Sequence, residues 1–273
     1  MKVPIVVAAF GTTTRALETY SIIDKGLKDR FHGHEIVWAY SSRMVKDFIK
    51  QRRNIDLKHP HQVLAELKAK GHSWAVVQSL HLLNGHEFYR LVEEARQCDI
   101  RTSMGLPLLS NPEDLVDVVE GLGKCFSNFE NEVVVLIGHG TDHPTWSSYL
   151  ALHHMFRERF GPRVFVSVVE GYPTREQIIE AVKESGCRKV RLIPFMIVAG
   201  THLEEDIAGD DDSWKMAFEQ EQISVAIEKK GLAFYPCIID TFCRHIQEAL
   251  EIIPQTCEKW MPQCQICKTS LDN

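Results

Sequence analysis

The 273-residue sequence predicts an α/β protein of two similar domains, each a parallel sheet flanked by helices, with a cleft between them. Three observations predict it. Apolar runs alternate with amphipathic helical patterns along most of the chain. The segments VQSLHLLNGHE (77–87) and LIPFMIVAGTH (192–202) end alike, in an apolar run, a glycine, and a side chain able to bind metal two residues on. VVAAFGT (6–12) likewise echoes VLIGHGT (135–141), so that Gly11 matches Gly140 at an offset of 129 and Gly85 matches Gly200 at an offset of 115. Duplication is the simplest account of these echoes. It sets Glu87 in the place of His202 and Phe10 in the place of His139.

Residues 3–10 form a continuous apolar run, the pattern of a strand covered on both faces. Thr12 or Thr13 can cap the helix that follows, in which Ala16, Tyr20, Ile23, Leu27 and Phe31 recur at spacings of three and four. Residues 35–40 read as a strand, 62–70 as a helix stopped by Gly71, 74–83 as the next strand and 87–98 as another helix. Asn111 as cap, with Pro112 at the first helical position, opens a helix running toward Cys125. In the second half, strands are expected near 132–137, 164–169, 190–197 and 224–227. Thr174 and Gln177 have capping-box spacing, which predicts a helix from there to about Ser185. Alternation of this kind builds parallel sheets with right-handed crossovers, so the halves are expected to be Rossmann-like. We assign them to residues 1–127 and 128–253, with 254–273 as a cysteine-containing tail.

The length suits two domains of about 125 residues each. A hydrophobic content of 44% with 25% charged residues is ordinary for a globular protein, and a net charge of -6 argues against a nucleic-acid partner. The first apolar run stops at Phe10, short for a secretory segment, and no stretch approaches the roughly 20 apolar residues that span a bilayer. Cytoplasmic residence without membrane contact is the expectation. Cys98, Cys125, Cys187, Cys237 and Cys243 are scattered, and free thiols are expected for them.

In open α/β sheets, ligands bind beyond the carboxyl ends of the strands, which is where Thr12, Ser41, Glu87, His139 and His202 fall. His139 stands between two glycines in IGHGTDHP, which leave its imidazole uncovered. His202 precedes an acidic series, Glu204, Glu205, Asp206, Asp210, Asp211 and Asp212, that reads either as a solvated face or as a relay for a divalent cation. Glu87 suits the first turn of a helix for its charge alone, and the repeat adds a ligand role. Two imidazoles and a carboxylate suit Co, Fe, Ni or Zn, and ligand type does not choose among these. His143 reads as shaping the turn before Pro144, His81 as part of a strand, and His153 and His154 as lying along a helix. Cys257, Cys264 and Cys267 could hold zinc or part of an iron–sulfur cluster, but no fourth ligand is evident and a reduced tail serves equally. No Walker motif, dinucleotide fingerprint or HExxH helix is present.

The strings FGTTT (10–14), QSLHLLNGHE (78–87), GHGTDHP (138–144), AGTHLEEDIAGDDDSWK (199–215) and KGLAFYP (230–236), in this order, resemble the anaerobic sirohydrochlorin cobaltochelatases, relatives of ferrochelatase. The resemblance covers nearly all of the chain except the cysteine tail, which departs from it. It implies a chelatase-like pair of domains around a tetrapyrrole cleft, with His139, His202 and Glu87 as metal-handling and catalytic residues. It also implies Co2+ as a substrate, with no tightly bound cofactor, and its insertion into sirohydrochlorin with release of two protons on the anaerobic route to cobalamin. Because sirohydrochlorin is fringed with carboxylates, donors are expected at the cleft rim, and Phe10, Thr12, Arg15, Ser41 and Arg43 are the expected substrate contacts, with Ser42 and the free amides of the first helix beside them. A ferrochelatase acting on sirohydrochlorin or another porphyrin, and a carrier that binds tetrapyrrole or metal without turnover, stand as alternatives. Homo-oligomerisation is left open.

Overall fold

The computed structural model describes residues 2–11, 18–42, 57–123 and 131–254. Strands β1 (Ile5–Ala9), β2 (Ile36–Tyr40), β3 (Trp74–Ser79) and β4 (Arg101–Gly105) form a parallel sheet in the order β2-β1-β3-β4. Strands β5 (Val133–Gly138), β6 (Val164–Val168), β7 (Lys189–Pro194) and β8 (Ser224–Ile227) repeat that order as β6-β5-β7-β8, again parallel. The duplication extends to individual residue pairs. Ile5 pairs with Val76 and Val134 with Arg191, the partners that offsets of 129 and 115 require.

The helices are α1 (Glu18–Arg30), α2 (Pro60–Ala69), α3 (His86–Arg96), α4 (Pro112–Gly123), α5 (Ser147–Phe160), α6 (Arg175–Glu184), α7 (Trp214–Gln220) and α8 (Pro236–Glu251). Helix α1 buries Tyr20, Ile23 and Leu27, as their spacing predicts. Its expected start at Thr12 or Thr13 lies outside the described residues, as do the expected half boundary near 127 and the tail beyond Pro254. Helix α6 opens with the expected capping box, in which Thr174 Oγ1 accepts from the Gln177 amide and Gln177 Oε1 accepts from the Thr174 amide at 3.2 Å.

Side-chain alternation along the strands divides the interior into three regions. Val6 and Ala8 pack with Val63, Leu64 and Leu67 of α2 and Leu91 of α3. Val133, Val135 and Ile137 pack with Ile178 and Val182 of α6 and Trp214 and Phe218 of α7. The opposite faces, represented by Ile5, Val7, Val134 and Leu136, share one central core with α1, α4, α5 and α8, so the two halves are fused by common burial.

The apolar runs at 74–83 and 190–197 leave their sheets earlier than their composition predicts. Leu80 still donates to the Ala8 carbonyl at 2.8 Å, but the His81 and Leu82 carbonyls turn to the amides of Leu108 and Leu109 at 3.0 and 2.9 Å. The second half repeats this with Phe195 on Ile137 at 2.7 Å, then Met196 and Ile197 carbonyls on the amides of Leu232 and Ala233 at 2.7 and 3.2 Å. Loops after β4 and β8, rather than neighbouring strands, satisfy these backbones. The apolar residues there are available to wall a cleft.

Helix α8 follows the second sheet in sequence but packs on the first, against β3, β4, α1 and α4. Asp114 in α4 fastens it. One carboxylate oxygen accepts from Arg244 at 2.7 Å and faces His245 Nε2 at 2.9 Å, while the other accepts the amides of Ser110 and Asn111 at 2.9 and 2.7 Å. His245 Nδ1 in turn meets the Leu106 carbonyl at 3.0 Å. Burial alone would raise the Asp114 pKa, but the His245, Asn111 and Arg244 hydrogen bonds overcome it and hold the value at about 2. Among the described residues no helix is long and apolar enough to cross a membrane.

Because the folded pKa of Asp114 lies below its usual value, its ionisation stabilises the fold above about pH 4 and that share is lost as pH falls toward 2. The expected size is ~2 kcal/mol. Chemical denaturation of the wild type and Asp114→Asn at pH 7 and pH 3 should show the variant less stable at pH 7 and the gap narrowed at pH 3. An unchanged gap would remove Asp114 from this role.

Candidate active site

A cavity of about 920 Å³ opens between the halves at the carboxyl ends of both sheets. This is within the usual size range of small-molecule sites. Its wall is built from matched positions of the repeat. Phe10 and His139, Gly11 and Gly140, Leu80 and Phe195, and Glu87 and His202 all line it. The second half therefore contributes two imidazoles where the first contributes a phenyl ring and a carboxylate.

His139 and His202 stand edge to face, their ring centroids 4.4 Å apart. His139 follows β5 directly and is exposed to the cavity. Its Nδ1 meets the Gly140 carbonyl at 3.3 Å, and His202 Nδ1 meets Asp206 Oδ2 at 2.6 Å. A carbonyl can only accept, and a carboxylate does the same when ionised, so in each neutral ring Nδ1 carries the proton and Nε2 keeps its lone pair for a metal or a proton. Asp206 reaches His202 because the two lie four residues apart on one helical turn, which sets both side chains on the same side. One member of the acidic series is thus spent on orienting a histidine.

Glu87 lies in the first turn of α3 and faces the same cavity, its carboxylate held by Arg90 at 3.0 Å. Among the described residues, no three His, Cys, Asp or Glu side chains are arranged to hold a metal ion together. The structure brings the two imidazoles together and leaves Glu87 paired with Arg90. The start of α3 abuts the second half, where His86 Nε2 meets Asp142 Oδ1 at 2.9 Å and its ring stands 5.1 Å from that of His143. His143 shapes its turn, as expected, by accepting the Thr145 amide at 3.3 Å. His153 and His154 lie along α5.

The remaining expected contacts divide. Phe10 is 46% exposed and lines the cavity, whereas the Ser41 hydroxyl is directed at the Ala9 carbonyl at 3.5 Å. Ser42 is buried next to it. Thr12, Arg15 and Arg43 lie outside the described residues. His81, read from the sequence as a strand residue, instead belongs to the cavity wall beyond the end of β3. Burial pulls its pKa down to about 4, so the ring is neutral; Nδ1 meets Ser79 Oγ at 2.8 Å and buried Nε2 has no partner among the described residues. Its period-two position in an apolar run concealed it.

Two facing α/β halves with paired imidazoles at the shared strand ends define a chelatase class of fold. SirB from Bacillus subtilis with Fe3+ superposes with a TM-score of 0.64 at 16% identity, covering 92% of this chain and 96% of that one. CbiX, described as the terminal enzyme for biosynthesis of siroheme in denitrifying bacteria, gives 0.55 at 12% identity, covering 91% and 99%. The profile of the family described as Cobalt chelatase (CbiK) matches residues 3–251, and the chain belongs to that family. The sirohydrochlorin cobaltochelatase of Salmonella typhimurium is 34% identical over 260 residues, 92% of this chain and 98% of that protein. Sirohydrochlorin cobaltochelatase CbiKC of Nitratidesulfovibrio vulgaris is 31% identical over 261 residues, 91% of each.

Asp206→Ala should leave the fold intact and free the His202 ring to rotate, weakening metal use about 10- to 100-fold, the scale of losing a carboxylate behind a ligating histidine. The cobalt dependence of initial rate reads this directly. An unchanged cobalt KM would show that the pair does not orient His202.

Proposed function

We propose that this protein inserts Co2+ into sirohydrochlorin on the anaerobic route to cobalamin. The observation that carries the proposal is the His139–His202 pair, 4.4 Å between ring centroids, in a cavity walled by both halves. The names of the two relatives supply the substrate class. In the reaction the ring exchanges two pyrrole protons for one Co2+, so two N–H bonds break, cobalt–nitrogen bonds form, and nothing is oxidised. The metal must be held loosely enough to leave. Two neutral imidazole Nε2 atoms with further coordination positions open meet that need better than a closed cage.

The same imidazoles suit proton removal, since an Nε2 lone pair that is free of metal can accept a proton. In this proposal His139 and His202 are both metal ligands, and as the ion passes to the ring nitrogens one of the two histidines releases it and its freed Nε2 accepts a pyrrole proton. Glu87 is the third ligand or the proton relay, acting once the incoming cation displaces Arg90. Phe10 supports the face of the ring, and Thr12, Arg15, Ser41 and Arg43 meet its carboxylates. Co2+ enters and leaves as a substrate. The proposal places the reaction in the cytoplasm, in line with Cys98, Cys187, Cys237 and Cys243 being free thiols.

Anaerobic absorbance spectra of protein, sirohydrochlorin and cobalt, with iron, nickel and protein-free arms, test the activity. Protein-dependent conversion over many turnovers, fastest with cobalt, is expected. Ring binding without conversion by any metal would replace the enzyme with a carrier. His139→Ala and His202→Ala should each lose turnover while keeping the folded circular-dichroism spectrum, and a variant with near-normal activity would remove that residue from the mechanism. Arg43→Ala should raise the sirohydrochlorin KM more than it lowers kcat; an unchanged substrate dependence would count against that contact.

A further inference from the structure

The offset that maps Gly11 onto Gly140 also maps Tyr20 onto Tyr149. Both tyrosines are buried and line the cavity. Tyr149 Oη accepts the Gly140 amide at 3.3 Å, and the Gly11 backbone lies close enough to the Tyr20 phenol to favour its ionised oxygen. Each glycine has a positive φ, 103° at Gly11 and 94° at Gly140, and each follows the residue that its half directs into the cavity. The duplicated element is therefore a strand end, an outward side chain, a left-handed glycine and a phenol that ties the glycine down.

In the second half this element closes around His139. The Tyr149 ring lies where a Cβ on Gly138 would be, and its oxygen holds Gly140, so one side chain touches the residues on both sides of the histidine. In the first half the tied-down residue is Phe10, and Tyr20 is braced by the rings of Trp38 and Tyr40 at 5.3 and 5.9 Å. The tyrosine–glycine approach recurs, but Ala9 stands where the second half has Gly138, so only Tyr149 fills the space of a missing Cβ.

We propose that Tyr149 and Tyr20 are matched positioning residues for the two substrates, Tyr149 fixing His139 for the metal ion and Tyr20 fixing Phe10 for the tetrapyrrole. The inference rests on the assignment of His139 to the metal and Phe10 to the ring. A tyrosine that only filled space would be replaced by phenylalanine without kinetic consequence, or would disturb both substrates together.

Tyr149→Phe and Tyr20→Phe keep the rings and remove only the oxygens. Steady-state rates with each substrate varied should show Tyr149→Phe raising the cobalt KM roughly three- to tenfold, the scale of one lost hydrogen bond, with the sirohydrochlorin KM unchanged. Tyr20→Phe should do the reverse, and should also weaken sirohydrochlorin binding measured without metal by fluorescence quenching. His139→Ala and Phe10→Ala are run beside them. If those two lose metal use and ring binding respectively while neither phenylalanine variant moves its own KM, or both variants shift both constants alike, the positioning proposal is overturned. If His139→Ala keeps its cobalt dependence, the assignment beneath it has failed.

Discussion

Gly140 turns the chain directly after β5 at a φ of 94°, and a Cβ there would overlap the Glu170 carbonyl. Left-handed backbone and lack of space both restrict the position to glycine. The Glu170 amide donates to the His139 carbonyl at 2.9 Å, so the loop after β6 closes on this turn from one side while Tyr149 closes on it from the other. His139 can leave the sheet with its ring uncovered because its backbone is held on both flanks. The exposure of His139 to the cavity, where it meets His202, follows from that turn.

Duplication provides two copies of the turn, and divergence of a few residues separates their uses. The first copy presents Phe10 and, from the matched end of β3, Glu87; the second presents His139 and His202. Both walls carry apolar residues, but at these matched positions the first offers a phenyl ring and a carboxylate paired to Arg90, and the second offers two imidazoles. In the proposed reaction, which joins an organic macrocycle to a hydrated cation, this division would let the partners meet from opposite sides. The common core beneath the two sheets, fastened by α8 and the Asp114–His245–Arg244 network, keeps the walls in register.

Much of this was legible in the sequence because the repeat and the apolar runs share one physical origin, the buried parallel strand. The strand partners fell at the offsets read from the glycines, and His139, His202, Glu87 and Phe10 all reached the cavity. Strand β4 was missed because RTSMG is short, polar and at a sheet edge, with no apolar run to mark it. Helix α8 was missed because its inward stripe of Ile238, Thr241, Phe242, His245, Ile246 and Ala249 includes Thr241, whose hydroxyl is satisfied by the Cys237 carbonyl of the same helix, and His245, which is satisfied by contacts with the first half. His81 was misread for a related reason. A backbone departing from the sheet has no signature in hydrophobic periodicity.

The central claim is that the metal is received between His139 and His202 of the second half. Anomalous diffraction at the cobalt edge from crystals soaked anaerobically in Co2+ tests it most directly. The account predicts a single strong peak in the cavity at bonding distance, about 2.1 Å, from a nitrogen of each histidine. A peak coordinated by Glu87 on the first half without either imidazole, or cobalt held elsewhere with the cavity empty, would contradict it.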